Sequence, residues 1–340
     1  MPCKPLPKED LDHVLAQTRE HWSEARGKSF FITGGTGFFG MWLLESFAHI
    51  NDALGLGMSA TVLTRNPQAF ASKAPHLAQR NDLHFVPGDV RDFDFASGKF
   101  SYVVHAATTS GAPVENIEML ETIIDGTRRV LDFAAKHGTS KLLYISSGAV
   151  YGKQPNDLSH IPEAYRGAPD PLDPNSAYGE GKRVGELLSV LKSQEAGFET
   201  KIARCFAFIG PHLPLDAHFA AGNFIRDAIA GGPIVIKGDG KSVRSYLYAS
   251  DLAIWLWTIL FKGKPNRAYN VGSEHGITIA GLAGALCEVA KTTALNTGKN
   301  LYGGPPATNY VPATSSAKSD LGLEDLVCLH GALHKSVRWC

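Results

Sequence analysis

The chain has 340 residues, 44% of them hydrophobic and 19% charged, which is typical of one large globular domain or two closely joined ones. Its 33 basic and 33 acidic residues give a net charge of zero, and no block of like charges occurs. Nucleic acid and membrane surfaces are therefore not expected as partners.

The cysteines and the hydropathy pattern indicate a cytoplasmic protein. Five cysteines, at positions 3, 205, 287, 328 and 340, are an odd and irregularly spaced set that suits reduced thiols. Residues 1–10 are charged and lack the apolar core of a signal peptide. The longest apolar run, residues 252–261, is far shorter than the roughly 20 residues that span a bilayer. The 13 histidines have no metal-ligand spacing, so no metal site is expected.

Residues 8–24 have a polar, helical pattern with few apolar anchors, among them Val14 and Trp22. We expect residues 1–27 to form an N-terminal helical extension that lies on the main domain as a surface flap.

Residues 29–47 predict a strand, a tight turn and a helix. The glycines of the turn have the spacing Gly-x-x-Gly-x-x-Gly, with Gly34, Gly37 and Gly40 around Phe38 and Phe39. Glycine is needed where backbone approaches a pyrophosphate and where helix packs closely on strand, and free helix amides then bind the phosphate. We expect these five residues to contact a dinucleotide. A glycine-rich turn without a ligand is the alternative.

The second predicted strand, residues 60–65, ends without the acidic residue that holds the adenosine ribose in NAD enzymes. Arg65 stands there, and an arginine at this point accommodates a 2′-phosphate. The sequence therefore favours NADP over NAD. Alternatively, Arg65 is a solvated loop cation and NAD binds through other contacts.

Three further strands complete the predicted first half. Residues 83–90 end near Asp89 and Val90, with Asp89 placed to accept a hydrogen bond from adenine, and residues 102–107 end in the small side chains Ala106 and Ala107. A helix from about residue 116 to 134 leads to a fifth strand, residues 141–147. This alternation predicts a Rossmann-like, doubly wound parallel sheet with helices on both faces.

Tyr178 and Lys182 stand four residues apart on a predicted helix, so their side chains share one face. A nearby ammonium in a dry site can lower the tyrosine pKa from about 10 toward neutrality. Tyr178 could then exchange a proton with a sugar or alcohol oxygen during hydride transfer, while Ser147 donates a hydrogen bond to that oxygen. These three residues are the candidate catalytic set.

Together these motifs resemble the extended short-chain dehydrogenase/reductase family of nucleotide-sugar epimerases and dehydratases. The resemblance covers residue 28 to the end and rests on residues 33–40, 88–90, 105–107, 146–152, Tyr178 with Lys182, 210–211 and 244–251. It implies a bound NAD(P), a nucleoside-diphosphate sugar substrate, and a homodimer formed through the Tyr178 helix. It also implies that Asn223 and Arg244 face the substrate diphosphate, where a guanidinium can bind phosphate oxygens in a bidentate fork. Thr108 is a further expected substrate contact.

Two departures from the family pattern reduce the number of reactions that this chain is expected to catalyse. Dehydrating members carry Asp-Glu after the Ser/Thr, and decarboxylating members carry a Glu, whereas this chain has Gly148 and Ala149. Neither residue can move a proton, so a 4,6-dehydratase or a UDP-glucuronate decarboxylase is disfavoured. Ala207 also stands where the family usually has Asn near the substrate phosphates.

The remaining reactions need only Ser147, Tyr178 and Lys182. Reduction of a 4-keto nucleotide sugar by NADPH is favoured because of Arg65, and redox-neutral C4 epimerisation is the alternative. A dinucleotide-binding redox sensor without activity is the non-enzyme alternative. We expect a dinucleotide-binding domain over residues 28–206, to which 235–272 return, and a smaller interleaved α/β substrate domain from residues 207–234 and 273–340.

Overall fold

The computed structural model describes residues 2–108, 115–217, 219–296 and 307–340. The α-helices of these residues are α1 (Lys8–Thr18), α2 (Phe38–Leu54), α3 (Pro67–Lys73), α4 (Pro75–Ala78), α5 (Asn116–Lys136), α6 (Ala177–Ala196), α7 (Ala220–Ile229), α8 (Ala249–Lys262), α9 (Ile279–Ala290), α10 (Ser315–Leu321) and α11 (Leu329–Trp339). Three short 3-10 helices cover Arg19–Ala25, Gly148–Tyr151 and Pro174–Ser176.

Seven parallel strands form the central sheet, in the order β11-β6-β5-β4-β1-β2-β3. Their bounds are β1 (Ser29–Thr33), β2 (Ser59–Thr64), β3 (Leu83–Pro87), β4 (Tyr102–His105), β5 (Lys141–Ser147), β6 (Glu199–Cys205) and β11 (Arg267–Val271). The order of the first six is that of a dinucleotide-binding Rossmann sheet, so the predicted fold class is confirmed.

The central sheet is covered on both faces. On one face, α2, α8 and the N-terminal segment bury a large core that includes Trp42 and Trp257. On the other face, α5 and α6 cover a second core in which Phe31 stacks on Phe133, with ring centroids 4.1 Å apart. Burial on both faces explains why the strands read as apolar runs in the sequence.

The N-terminal segment is part of the main core, so the expected surface flap is wrong. Trp22 is completely buried and packs edge-on against Trp257 and Phe261, with centroid distances of 4.9 and 5.0 Å. On α1, buried Asp10 accepts a hydrogen bond from the Tyr248 hydroxyl. The polar helix pattern hid this role because only a few apolar side chains of the segment, Val14 and Trp22 among them, are buried in the core.

Three small sheets lie in the second half of the described chain. Their strands are β7 (Phe208–Ile209), β8 (Ile234–Ile236), β9 (Val243–Ser245), β10 (Leu247–Tyr248), β12 (Gly276–Thr278), β13 (Ala294–Asn296) and β14 (Asn309–Tyr310). They pair as β10-β7, β13-β8 and β12-β9-β14.

Residues 308–314, which we call the strap, connect these small sheets to the first half of the molecule. At one end β14 pairs with β9. At the other end the Ile161 amide donates to the Val311 carbonyl and the Ala313 amide donates to the Ile161 carbonyl, both at 2.9 Å. The strap thereby crosses the carboxyl end of β5, where Ser147 lies. Among the described helices, none combines the length and the apolar composition needed to cross a bilayer.

Candidate active site

The glycine turn packs tightly on the carboxyl end of β4. Gly34 has a positive φ of 73°, and a Cβ there would lie 2.5 Å from the Ala106 carbonyl carbon. The Ala107 amide donates to the Thr33 hydroxyl at 3.2 Å. The turn and the small residues after β4 therefore form one continuous backbone surface.

The N-terminus of α2 opens directly from this turn. Gly37 is the N-cap and supplies no side-chain cap, so the first amides of α2, including those of Phe38 and Phe39, remain available to a phosphate. Gly40 presses against the turn, since a Cβ there would lie 2.2 Å from the carbonyl carbon of Gly35. This cradle, which side chains would fill, fits the pyrophosphate of a dinucleotide.

Two cationic side chains lie at the carboxyl end of β2 and beside the glycine turn. Arg65 is exposed just after β2, and the Lys73 ammonium reaches back from α3 to the Thr36 carbonyl at 3.1 Å. Asp89 accepts from Arg91 through both the backbone amide and the guanidinium, which holds the pKa of this carboxyl below its usual range. The sequence pattern did not reveal Lys73, because helix α3 returns it to the turn.

Ser147, Tyr178 and Lys182 are brought together at the carboxyl end of β5. The Ser147 hydroxyl lies beside the Tyr178 phenol, and the Lys182 ammonium lies 5.9 Å from the centroid of the Tyr178 ring. Lys182 donates to the Ile145 carbonyl at 2.8 Å, which fixes the ammonium beneath the tyrosine. Helix α6 thus presents the Tyr178 and Lys182 side chains together at the end of one strand.

Burial dominates the electrostatics of this set. Loss of hydration raises the pKa of Tyr178, whereas the sequence pattern suggested a lowered value. The same burial lowers the pKa of Lys182 to about 8. The Lys182 ammonium donates to the Ile145 carbonyl and does not reverse the effect of burial on the phenol. At neutral pH Tyr178 is therefore a phenol and Lys182 an ammonium.

Position 148 has no room for a side chain. A Cβ on Gly148 would lie 2.6 Å from the Tyr310 hydroxyl and 2.8 Å from the Phe206 ring. Tyr310 on the strap thus brings its hydroxyl next to the residue that follows Ser147. The sequence analysis missed Tyr310 and Phe206, since they reach Ser147 only through the strap and the end of β6.

Two other polar groups in the site were also missed. Cys205 is buried opposite Ser147 in the β5-β6 pairing, and burial raises the pKa of its thiol. His105 is buried between the Thr33 and Thr127 hydroxyls at 2.8 and 3.1 Å, and burial lowers its pKa to about 3. Neither group carries charge at neutral pH. Within the described residues, no group of three His, Cys, Asp or Glu side chains is placed to hold a metal ion.

The expected substrate residues lie in separate surroundings. Arg244 donates to the carbonyl and the hydroxyl of Thr308, at 2.7 and 3.0 Å, and so ties β9 to the strap. Asn223 on α7 accepts from Arg226 at 3.3 Å. The buried hydroxyl of Thr108 has no hydrogen-bond partner among the described residues.

Sequence comparison identifies the family. The profile of the NAD dependent epimerase/dehydratase family matches residues 30–272. UDP-glucuronic acid decarboxylase 1 of Arabidopsis thaliana is 29% identical over 90% of this chain and 68% of its own length. UDP-glucuronic acid decarboxylase 1 of Xenopus tropicalis is 27% identical over 93% of this chain and 73% of its own length.

Solved structures share the fold at lower sequence identity. The UDP-glucose 4-epimerase of Thermotoga maritima, solved with UDP-glucose, matches with a TM-score of 0.77 and 23% identity, over 92% of this chain and 98% of that one. The UDP-glucuronic acid 4-epimerase of Bacillus cereus, solved with UDP-glucuronic acid and NAD, matches with a TM-score of 0.75 and 20% identity, over the same shares. The chain therefore belongs to the NAD-dependent epimerase/dehydratase family and is an enzyme of the extended short-chain dehydrogenase/reductase type.

Proposed function

We propose that this enzyme reduces a 4-keto nucleotide sugar with NADPH. The observation that carries the proposal is the pairing of a complete Ser147-Tyr178-Lys182 set with a neighbouring position, Gly148, that cannot hold an acid. Hydride and proton transfer at one carbonyl group needs only Ser147, Tyr178 and Lys182. Water elimination and decarboxylation need further acid/base groups.

Each member of the set has one task in this reaction. Tyr178 would give its phenol proton to the ketone oxygen, and the nicotinamide cofactor, when bound, would supply the hydride to the carbon. Ser147 donates a hydrogen bond to the same oxygen and stabilises the charge that develops there. Lys182, held by the Ile145 carbonyl, stabilises the phenolate that remains on Tyr178.

The protonation state of Tyr178 supports reduction over oxidation. Burial raises the pKa of Tyr178, so the side chain is a proton donor at neutral pH. A ketone needs a proton donor, and an alcohol being oxidised needs a base. We expect the rate of reduction to be steady through neutral pH, to fall above about pH 8 where Lys182 loses its proton, and to fall further when more alkaline conditions ionise the phenol.

The cations near the glycine turn support NADPH as the cofactor. Arg65 follows β2 directly, and Lys73 lies at the Thr36 carbonyl, so two cations flank the position of a 2′-phosphate. The turn and the first amides of α2 would hold the pyrophosphate.

The substrate is proposed to lie between the end of β5 and the strap. Arg244 would bind the diphosphate, with Asn223 of α7 beside it, and the unpartnered Thr108 hydroxyl would bond to the sugar. Arg244 now donates to Thr308, so substrate would compete for a guanidinium that is already desolvated; burial lowers its pKa.

Similarity to decarboxylases is the main argument for a different reaction. The relatives from Arabidopsis thaliana and Xenopus tropicalis are named UDP-glucuronic acid decarboxylases. We nevertheless disfavour decarboxylation here because Ala149 replaces the glutamate that the family resemblance places in such enzymes. Tyr310 and Phe206 fill the neighbouring space with a phenol and an apolar ring.

The test uses purified protein with NADPH and a UDP- or dTDP-4-keto-6-deoxy sugar. We expect NADPH to be oxidised in amounts equal to the sugar reduced. Conversion of UDP-glucose at C4 without net cofactor change would instead support the epimerase. Formation of carbon dioxide from UDP-glucuronic acid would overturn the argument from Gly148 and Ala149.

We also propose a homodimer formed through α6. Val184, Leu187 and Leu191 are 36, 59 and 54% exposed and lie on one face of this helix. A second copy of the chain would cover this apolar stripe. Light scattering should give twice the monomer mass for the native protein and the monomer mass for Leu187→Glu; a native monomer would contradict the proposal.

A further inference from the structure

Tyr310 lies in the catalytic site although it comes from a short strand at the far end of the chain. Its hydroxyl lies beside the Ser147-Gly148 segment, since a Cβ on Gly148 would be 2.6 Å from it, and its ring centroid lies 4.6 Å from that of Phe206. The hydroxyl also occupies the space that a side chain on residue 148 would need. Tyr310 therefore places a phenol next to the residue that follows the candidate catalytic serine.

The strap holds Tyr310 in this place from both ends. Before it, Arg244 donates to Thr308, and β14 pairs with β9. After it, the Val311 amide donates to the Gln154 side chain at 2.9 Å. The Ala313 carbonyl accepts from Asn270 at 2.9 Å. With anchors on each side, the phenol is fixed and does not depend on a flexible loop.

The hydrogen bonds of Ser147 assign a direction to this contact. A serine hydroxyl has one hydrogen to donate and two lone pairs that accept. The Ala149 amide donates to Ser147 Oγ at 3.1 Å and uses one lone pair. If Tyr310 donates to the second lone pair, the single hydrogen of Ser147 is left for Tyr178 or for a substrate oxygen.

We propose that Tyr310 is a positioning residue whose phenol donates to Ser147 Oγ and so fixes Ser147 as a donor toward Tyr178 and the substrate oxygen. Hydrogen bonds in such a chain polarise one another, so donation by Tyr310 makes Ser147 a stronger donor. The reference to a substrate oxygen rests on the proposed function. The arrangement of the three hydroxyls does not.

The acidity of Tyr178 reports on this chain of hydrogen bonds. A stronger Ser147 donor stabilises the Tyr178 phenolate, so loss of the Tyr310 hydroxyl should make Tyr178 a weaker acid. The titratable and charged groups around Tyr178 come from β5, β6, α6 and the strap, and they are Tyr144, Cys205, Lys182 and Tyr310.

The experiment follows tyrosine ionisation by NMR in the full-length protein saturated with NAD and labelled with carbon-13 in its tyrosine rings. Tyr178→Phe assigns the Tyr178 signal, and Tyr310→Phe removes the proposed donor while keeping the ring. Tyr269→Phe is the matched control, since its hydroxyl contacts Asp320 and the Lys264 amide.

We expect Tyr310→Phe to lower the acid dissociation constant of Tyr178 roughly five-fold, which corresponds to the loss of one ordinary hydrogen bond. Tyr269→Phe should leave that constant unchanged, and both variants should keep the NAD affinity. Unchanged Tyr178 acidity in Tyr310→Phe, or an equal shift in Tyr269→Phe, would overturn the proposal. Because the titration needs no sugar, a failed ketone reduction would not affect this result.

Discussion

The proposed cofactor side and the proposed substrate side of the candidate site are built from different kinds of contact. On the cofactor side, the glycine turn meets backbone atoms of Ala106 and Ala107. On the substrate side, Gly148 meets the Tyr310 hydroxyl and the Phe206 ring. Backbone belongs to the sheet and cannot move alone, whereas a side chain can rotate or be replaced. The cofactor side is therefore set by the fold, and the substrate side by a few exchangeable side chains.

This difference predicts how variants of the two sides will fail. Changes on the cofactor side should lower stability and cofactor affinity together. Changes among the polar side chains on the substrate side should lower the rate and leave the folded protein intact.

The largest expected effect is the loss of rate in Tyr178→Phe. Removing the proton donor should lower kcat by about two to four orders of magnitude, because general acid catalysis typically contributes a factor of this size. Cofactor affinity and melting temperature should stay close to those of the native enzyme. A variant that keeps the native kcat would contradict the role of Tyr178 as the proton donor.

Trp22→Ala tests whether the N-terminal segment belongs to the core. Loss of this buried ring against Trp257 and Phe261 should destabilise the protein by about 3–5 kcal/mol in denaturant unfolding. Ile117→Ala, at a side chain that is 64% exposed, is the control and should change stability little. Equally small changes in stability in both variants would instead support a surface flap.

Gly40→Ala tests the backbone contacts of the cofactor side. The new methyl group would meet Gly35 and Gly34 backbone atoms at 2.2–2.4 Å, which should cost about 3 kcal/mol and abolish tight NAD binding. Gly37→Ala is the matched control for stability, because its nearest neighbour would be at 3.6 Å. Similar stability losses in both variants would contradict the claim that close backbone contacts at Gly40 set the cofactor side.

Lys182→Met should separate activity from stability. Burial lowers the pKa of Lys182 to about 8 from 10.5, so the folded protein carries a poorly solvated ammonium below that pH. Its removal should stabilise the fold by roughly 1–3 kcal/mol at pH 7, after the lost bond to Ile145 is counted, and should abolish activity.

The pH dependence of Lys182→Met has a defined sign. Between the folded pKa of about 8 and the unfolded pKa of 10.5, the unfolded state of the unmutated protein binds more protons than its folded state. The free energy of unfolding of that protein therefore rises with pH in this interval. The advantage of Lys182→Met in urea unfolding should therefore shrink through this interval. An advantage that grows with pH would contradict a lowered pKa.

The smallest expected effects are those of Arg65→Ala and Lys73→Ala. Each should weaken NADP binding about ten-fold, the loss of one charge-assisted phosphate contact, and leave NAD binding nearly unchanged. Fluorescence titration of both cofactors measures this, with Lys99→Ala, an exposed cation on another loop, as the control. An equal loss of affinity for NAD and NADP would indicate that Arg65 is only a solvated surface cation.

The sequence predicted the parts of the molecule that are local in the chain. The glycine turn and the Tyr178-Lys182 pair lie within single strand-turn-helix or helix segments, so spacing alone defined them. The carboxyl edge of the parallel sheet then brought Ser147 to them. The burial of Trp22 and the approach of Tyr310 depend on pairing between distant segments. Two-residue strands such as β14 leave no periodicity from which such pairing could be predicted.

The observed end of a strand differs from the predicted end where contacts with other parts of the molecule determine it. β4 ends at His105, whose ring is held between two threonines, and the following alanines leave the sheet to meet the glycine turn. An apolar run predicted two more strand residues there. These alanines are the ones that approach the cofactor cradle.

Transfer of deuterium from NADPH labelled at the hydride position tests the central claim most directly. The purified enzyme, with a 4-keto nucleotide sugar, should place one deuterium on the sugar carbon and oxidise one cofactor for each product, as read by mass spectrometry and NMR. A product without deuterium, or one that has lost carbon dioxide or water, would contradict the account of a site built for reduction alone.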